Sequence, residues 1–327
     1  MTDIEVRAYL DRSEILDVFA LVDECSRHDG TTPLSEHVLL HLRHGGDHDV
    51  RHLLARGADD RLIGYAHLDV TDLVEGPSAE VVVLPSCRRQ GTGHALVAQV
   101  LRVAESAAPG AGLRLWAHSD TVSARALTQS LGFARTRVLW QMCRSLVTPL
   151  PSTPLPAGVL LRTFLPGIDD AEWLALNAAA FAHLPDQGGW TSADLQRRME
   201  EPWFDPAGFL IATDTAGAMV GFHWTKVHGG EHAHDDADHD RLHAEGTEHL
   251  HGHGHDPLGE VYVVAVAPGH QGTGLGRVLV EAGLRHLAAL GLTQAMLYVD
   301  AANAPAIALY SSLGFTHRDT DVLCRHT

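Results

Sequence analysis

The same ordered set of segments occurs twice in this 327-residue chain. Between Ala79 and Arg144 come EVVVLPSCRRQGTGHA, LRLWAHSD and ALTQSLGF; between Glu260 and Arg325 come EVYVVAVAPGHQGTGLG, AMLYVDAAN and ALYSSLGF. Gln90 to Phe133 spans 43 residues and Gln271 to Phe315 spans 44. A period this long signals a duplicated domain and not a solenoid. It confines each half to a fold built as strand, glycine turn, helix, strand, helix. A chain of this length holds two domains of ordinary size.

The second copy is the fuller one. Val261 to Val266 is a β-branched run suited to a buried strand. Pro268 and Gly269 stop it, and Gln271-Gly272-Thr273-Gly274-Leu275-Gly276 opens onto a helical pattern. Backbone N–H groups of such a turn converge on one point, and the helix dipole adds positive potential there. The point suits a phosphate or pyrophosphate. The dinucleotide fingerprint is excluded because Arg277 stands where its third glycine belongs, and the P-loop is excluded because no G-K-[ST] follows.

The formal charge of −17 argues against a nucleic-acid or anionic-membrane partner. Positive potential need only be local, and Arg88, Arg89 and Arg277 flank the two glycine loops. Cys25, Cys87, Cys143 and Cys324 form no CxxC or zinc pattern, so reduced thiols in a cytoplasmic protein are expected. The start MTDIEVRAYLDR has no signal-peptide character, and no run of about 18 apolar residues suggests a membrane span.

Periodicity predicts strands over 4–9, 61–70, 80–84, 113–117 and 133–143 in the first half, with helices over 93–105 and 121–131 and others beginning near Ile15 and Leu34. The second half predicts strands over 159–164, 209–213, 219–227, 261–266 and 295–299, helices over 169–181, 191–199 and 304–313, and a closing strand. The proline-rich segment 148–157 reads as a semi-rigid linker, which divides the chain into domains 1–147 and 158–327. The stretch from about 228 to 257 carries nine histidines among Asp, Glu and Gly. It reads as a solvated insertion, with a metal-binding tract as the alternative.

The pattern Q/R-x-x-G-x-G/A after a strand, followed by a helix ending in S-L-G-F, resembles the GNAT superfamily of N-acetyltransferases. The resemblance implies a mixed α+β fold (an α/β sheet) in two tandem acyl-CoA N-acyltransferase domains, with acetyl-CoA as co-substrate and no required metal. Cofactor contacts are then expected from the backbone of Val264, Ala265 and Val266, from the loop Gln271, Gly272, Thr273, Gly274, Leu275, Gly276 and Arg277, and from Asn303. In the first half their counterparts are Val81, Val82, Val83, Arg89, Gln90, Gly91, Thr92, Gly93 and His94. Acyl transfer from thioester to amine needs a base, a donor to the carbonyl oxygen, and an acid for the thiolate. Glu260 is the candidate base, the N–H groups of Val264 to Val266 the candidate donors, and Tyr310 the candidate acid. Aligned on the glutamines, Glu260 falls opposite Ala79 with Glu80 one residue away; aligned on the shared S-L-G-F helix ends, Tyr310 corresponds to Thr128. The first half is therefore expected to bind acetyl-CoA, or to have done so ancestrally, without catalysing transfer.

Longer strings narrow the resemblance: Asn177 to Trp190 (NAAAFAHLPDQGGW), Gly221 to Lys226 (GFHWTK), Gly259 to Val264 and Leu297 to Asp300. These are similar to the mycothiol synthase family, tandem GNAT enzymes of actinobacteria. That likeness implies a monomer acting on cysteinyl-glucosaminyl-inositol, with Glu36, Asp186, Lys226, Glu260 and Tyr298 binding the acceptor. Asp186 departs from the family's glutamate at that place. Two alternatives stay open at this point: a tandem GNAT enzyme for another small amine or peptide N-terminus, and a metal-handling protein that works through the histidine-rich tract.

Overall fold

The computed structural model describes residues 3–45, 50–72, 75–228 and 257–326. All but the ends of the histidine-rich insertion lies outside the described residues. The chain forms two compact units that interleave in sequence. Unit 1 holds residues 1–140, 300–302 and 319–327; unit 2 holds 141–299 and 303–318.

The elements of the first repeat are β1 (Asp3–Arg7), α1 (Arg12–Asp29), α2 (Glu36–His44), β2 (Val50–Arg56), β3 (Leu62–Asp69), β4 (Ser78–Val83), α3 (Thr92–Ala107), β5 (Leu113–Ala117), α4 (Val122–Ser130) and β6 (Ala134–Ser145). The second repeat gives β7 (Leu160–Thr163), α5 (Asp170–Ala180), α6 (Pro185–Gly188), α7 (Ser192–Met199), β8 (Phe209–Thr213), β9 (Met219–His228), β10 (Leu258–Val266), α8 (Leu275–Ala289), β11 (Gln294–Asp300), α9 (Ala304–Ser312) and β12 (Thr316–His326). The helices start where local chemistry directs. Asp11 and Glu14 form a reciprocal capping box for α1, Thr191 and Asp194 do so for α7, and Gly30 closes α1 in the left-handed region.

In unit 1, β1 to β4 form an antiparallel ladder, and β5 joins β4 in parallel. The outer partner of β5 is β12, paired from Val322↔Ala117 to His326↔Leu113. The sequence predicts β6 as the closing strand of the first half, but the end of the second repeat takes that place. Its seat is polar and buried. His118 Nδ1 lies 3.1 Å from Asp321 Oδ2, and the Ser119 N–H donates to Asp321 at 2.9 Å. Nε2 of the same imidazole lies 3.2 Å from Glu80 Oε2, a charge contact without hydrogen-bond alignment. The backbone N–H of Ser35 donates to that oxygen at 2.6 Å. Burial disfavours the imidazolium, yet the two carboxylates outweigh it and raise the pKa of His118.

In unit 2, β7, β8, β9 and β10 are antiparallel neighbours and β11 is parallel to β10. One face of this sheet carries an aromatic core of Phe164, Trp173, Phe209, Phe222 and Trp224. On the other, α8 presses close. Leu275 and Leu279 pack on Ala212 and Val220, and Gly221 and Gly283 mark points of near contact. A Cβ on Gly221 would lie 2.9 Å from Leu279, and one on Gly283 would collide with the ring of the buried His223, 2.1 Å from its Cε1.

Candidate active site

The two glycine loops end as N-termini of α3 and α8. Gly91 (φ 90°) and Gly274 (φ 86°) are the caps, and neither helix has a side-chain cap. First-turn N–H groups therefore point outward without an internal acceptor, which favours an anion. A Cβ on Gly91, Gly272 or Gly274 would meet nothing within 4 Å, so the loops present bare backbone. Arg277 donates to Ser312 Oγ at 2.6 Å, tying the loop helix to α9.

Above the α8 loop, β10 parts from its parallel neighbour. Its register with β11 covers Gly259↔Ala295 and Glu260↔Met296 and then ends, which leaves the β11-facing backbone of 261–266 open to a ligand. On the β9 side the ladder slips between Val261 and Val263, so that Tyr262 bulges. The bulge changes the phase of the strand. Glu260 faces Lys226 and Val263 faces Trp224, placing them on one side of the sheet. Sequence alone does not reveal this slip.

Glu260 is 7% exposed and Lys226 is 8% exposed. Lys226 Nζ stands 4.7 Å from the Trp203 ring centre and 5.4 Å from that of Tyr262. The Tyr262 hydroxyl accepts from Arg198 Nε at 2.7 Å, and the Arg198 guanidinium stacks 3.8 Å from Trp190. His228 Nε2 lies 2.7 Å from Glu260 Oε2. Burial raises the pKa of Glu260, but the His228 hydrogen bond and the charges of His228 and Lys226 outweigh it and the net direction is down. The carboxylate stays ionised. His228, Trp203 and Tyr262 were not singled out from sequence; His228 reads there as the first member of the histidine-rich tract.

Tyr310 lies on α9, 8% exposed and edge-on to Phe315. Burial pushes its phenol up to about 12, so it holds its proton at neutral pH. Among the described residues no group hydrogen-bonds its hydroxyl. Asn303 caps α9 by accepting from the Ala306 N–H at 3.1 Å, which leaves its amide N–H₂ for other use. Tyr298 is 43% exposed and accepts from Gln141 Nε2 at 3.2 Å. Asp186 lies on α6 of unit 2, and its side chain is outside the described residues. Glu36 begins α2 in unit 1, half-buried.

Unit 1 repeats the frame with other chemistry. Gly64 and Gly221 are equivalent, since each lets the loop helix approach, and they pair with Val83 and Val266. Counting from these pairs, Ser78↔Asp69 stands where unit 2 has Glu260↔Lys226, and Glu80 stands where unit 2 has Val263. The alignment on the glutamines, which set Glu260 against Ala79, is corrected by this register. The first loop is two residues longer between its proline and its glutamine, and β10 carries the extra bulge residue. Thr128, opposite Tyr310, turns its hydroxyl to the carbonyls of Ala124 and Arg125. In the first loop Arg88 folds inward, donating to the Val83 carbonyl at 2.9 Å and pairing with Asp29. Two surface cavities of about 280 and 420 Å³ also lie in unit 1, beside α4 and α3. Neither is lined by a glycine-loop residue.

Comparison with known proteins agrees with this frame. The profile of the acetyltransferase (GNAT) family matches residues 15–133 and again 176–315. A mycothiol acetyltransferase of Acidothermus cellulolyticus is 54% identical over 308 residues, covering 94% of this chain and 89% of that one. Another, of Streptosporangium roseum, is 47% identical over 358 residues and covers 98% of both chains. In fold the chain resembles a GCN5-related N-acetyltransferase from Sphaerobacter thermophilus (TM-score 0.69, 22% identity, 99% of this chain and 95% of that one). It also resembles a tandem GNAT protein from the clavulanic acid biosynthesis pathway (TM-score 0.71, 17% identity, 100% and 98%). The chain belongs to the GNAT acetyltransferase family and, within it, to the group of the mycothiol acetyltransferases.

Proposed function

We propose that the chain transfers acetyl from acetyl-CoA to the cysteinyl amine of the cysteine–glucosamine–inositol pseudodisaccharide, giving mycothiol. The observation that carries the reading is the identity of about half the residues with mycothiol acetyltransferases over 94% of the chain. The chemistry of unit 2 supports it. Acetyl-CoA lays its pyrophosphate on the uncapped start of α8, at Gln271 to Arg277, and its pantetheine along the parted backbone of Val264 to Val266. Glu260 takes a proton from the acceptor ammonium, directly or through one water. The freed nitrogen attacks the thioester carbonyl, and the developing oxyanion is met by backbone N–H groups of β10. When the C–S bond breaks, Tyr310 gives its proton to the CoA thiolate. Lys226 and Tyr298 supply hydrogen-bond donors for the sugar hydroxyls, with Asp186 and Glu36 as further acceptor-binding candidates. Unit 1 holds acetyl-CoA on Gly91 and its neighbours without turning it over, because Ser78 and Thr128 replace the base and the acid and its β4 register shows no slip. The protein works as a cytoplasmic monomer; among the described residues no helix is long and apolar enough to cross a membrane.

The test is acetylation of the purified pseudodisaccharide against a panel of other small amines, with the N-acetyl product read by mass spectrometry. A preference for another amine overturns the assignment. Deleting residues 231–256 separates the enzyme from a metal-handling protein: turnover survives in the first case only.

A further inference from the structure

We infer that His228 is a positioning residue for Glu260, holding one carboxylate oxygen so that the other is aimed at the acceptor amine. The inference rests on the assignment of Glu260 as the base. His228 is the last residue of β9 and pairs in register with Leu258, while Glu260 pairs with Lys226. The imidazole therefore reaches diagonally across the two strands, a separation that long side chains span. Its Nε2 lies 2.7 Å from Glu260 Oε2. A carboxylate only accepts, so this nitrogen carries the hydrogen and donates it. Among the described residues Oε1 has no hydrogen-bond partner. One oxygen is occupied and the other is left for the amine.

The setting makes the contact consequential. The Glu260 side chain is 9% exposed while that of His228 is 39% exposed, so a wet ring orders a buried carboxylate. Without the bond, a glutamate near a strand end spreads over several rotamers, and few of them present a lone pair to a substrate in reacting geometry. The other neighbours cannot substitute. Lys226 stands over the rings of Trp203 and Tyr262, Arg198 is engaged by Tyr262 and Trp190, and from β11 the register partner is the apolar Met296. The downward direction of the Glu260 pKa agrees with a donor at Oε2.

A double-mutant cycle tests the inference. His228→Ala, His228→Gln, Glu260→Gln and the doubles are assayed with acetyl-CoA and the cysteinyl pseudodisaccharide, folding being checked by circular dichroism. His228→Ala should lower kcat roughly ten- to a hundredfold, the size of a lost charge-assisted hydrogen bond, with KM for acetyl-CoA unchanged. His228→Gln keeps an N–H donor and should recover most of the rate. In the Glu260→Gln background, His228→Ala should cost less than about twofold, because residues that act through one another are non-additive. Equal losses in both backgrounds, or no loss from either His228 variant, overturn the positioning role while leaving the base in place. Full activity of Glu260→Gln overturns the base assignment itself and this inference with it. If His228→Ala does not fold, the Gln variant decides: near-normal kcat supports the role, and a hundredfold loss contradicts it.

Discussion

Gly283→Ala should destabilise unit 2, although helix propensity argues the opposite. Gly283 is an interior residue of α8, and replacing glycine by alanine in a helix is ordinarily worth up to about 1 kcal/mol of stability. Here the added Cβ falls 2.8 Å from His223 Nε2 and nearer still to Cε1 and Nδ1. His223 is wholly buried and cannot swing aside without breaking its 2.7 Å bond to the Leu279 carbonyl. Overpacking costs about 1–3 kcal/mol, and a stranded buried polar group a similar amount. Against the propensity gain, the net loss is roughly 2–4 kcal/mol, or a fall in Tm of about 5–15 °C for a unit of this size. Thermal and urea unfolding, followed by fluorescence of the Trp173–Trp224 cluster, reads it directly. In a His223→Ala background the same substitution should become neutral or stabilising, because the obstacle has gone. Gly276→Ala is the steric control: its nearest neighbour would be Val266 at 3.6 Å. A Gly283→Ala protein more stable than the parent would refute the reasoning. The site depends on this contact, since the approach of α8 to β9 sets where the glycine loop meets β10.

Tyr310→Phe should lower kcat by about 10²–10⁴-fold with little change in KM for acetyl-CoA, measured by steady-state product formation. Gly274→Ala should raise that KM, because φ of 86° strains any residue with a Cβ, whereas Gly91→Ala (φ 90°) should leave kcat unchanged. Equal loss of activity from Tyr310→Phe and Gly91→Ala would contradict a non-catalytic unit 1. Stability should fall in acid. His52 and His223 are held down to about 4 and His67 to about 3, chiefly by burial. Their folded pKa values lie below the unfolded value, so the stability is whole above about 6.5 and is lost as pH drops toward 4, by about 1.4 kcal/mol per unit for each group. His118 runs the other way. Its raised pKa gives stability that is present below about 6.5 and lost as pH climbs, and His118→Gln should flatten that alkaline limb of Tm against pH.

The repeat, the glycine loops and nearly every element were legible because hydrophobic period, proline stops and glycine turns are local signals. β2 was not, since Val50-Arg-His-Leu-Leu-Ala-Arg56 alternates poorly and its His52 is buried by a tertiary partner, Tyr65. The slip at Tyr262 left no trace in residue type, and the glutamine-based alignment placed Glu80 opposite the wrong position because the first loop is two residues longer. His228 was hidden by the company it keeps in sequence. Glu260, Lys226 and Tyr310 were readable as residues, but their burial and pairing were not, because both depend on which strands neighbour which. Least legible of all was the destination of β12.

That destination bears on how the protein is made. Asp321 meets His118 across 203 positions of sequence. A ribosome adding about 5–20 residues per second needs roughly 10–40 s to cover that distance. Throughout it the rim of β5 lacks its native mate, and an unpaired strand rim invites pairing with a stranger. The earlier-born half must therefore wait for a piece of the later-born one, so nascent chains stalled near the proline-rich segment should be the species that chaperones hold and proteases clear.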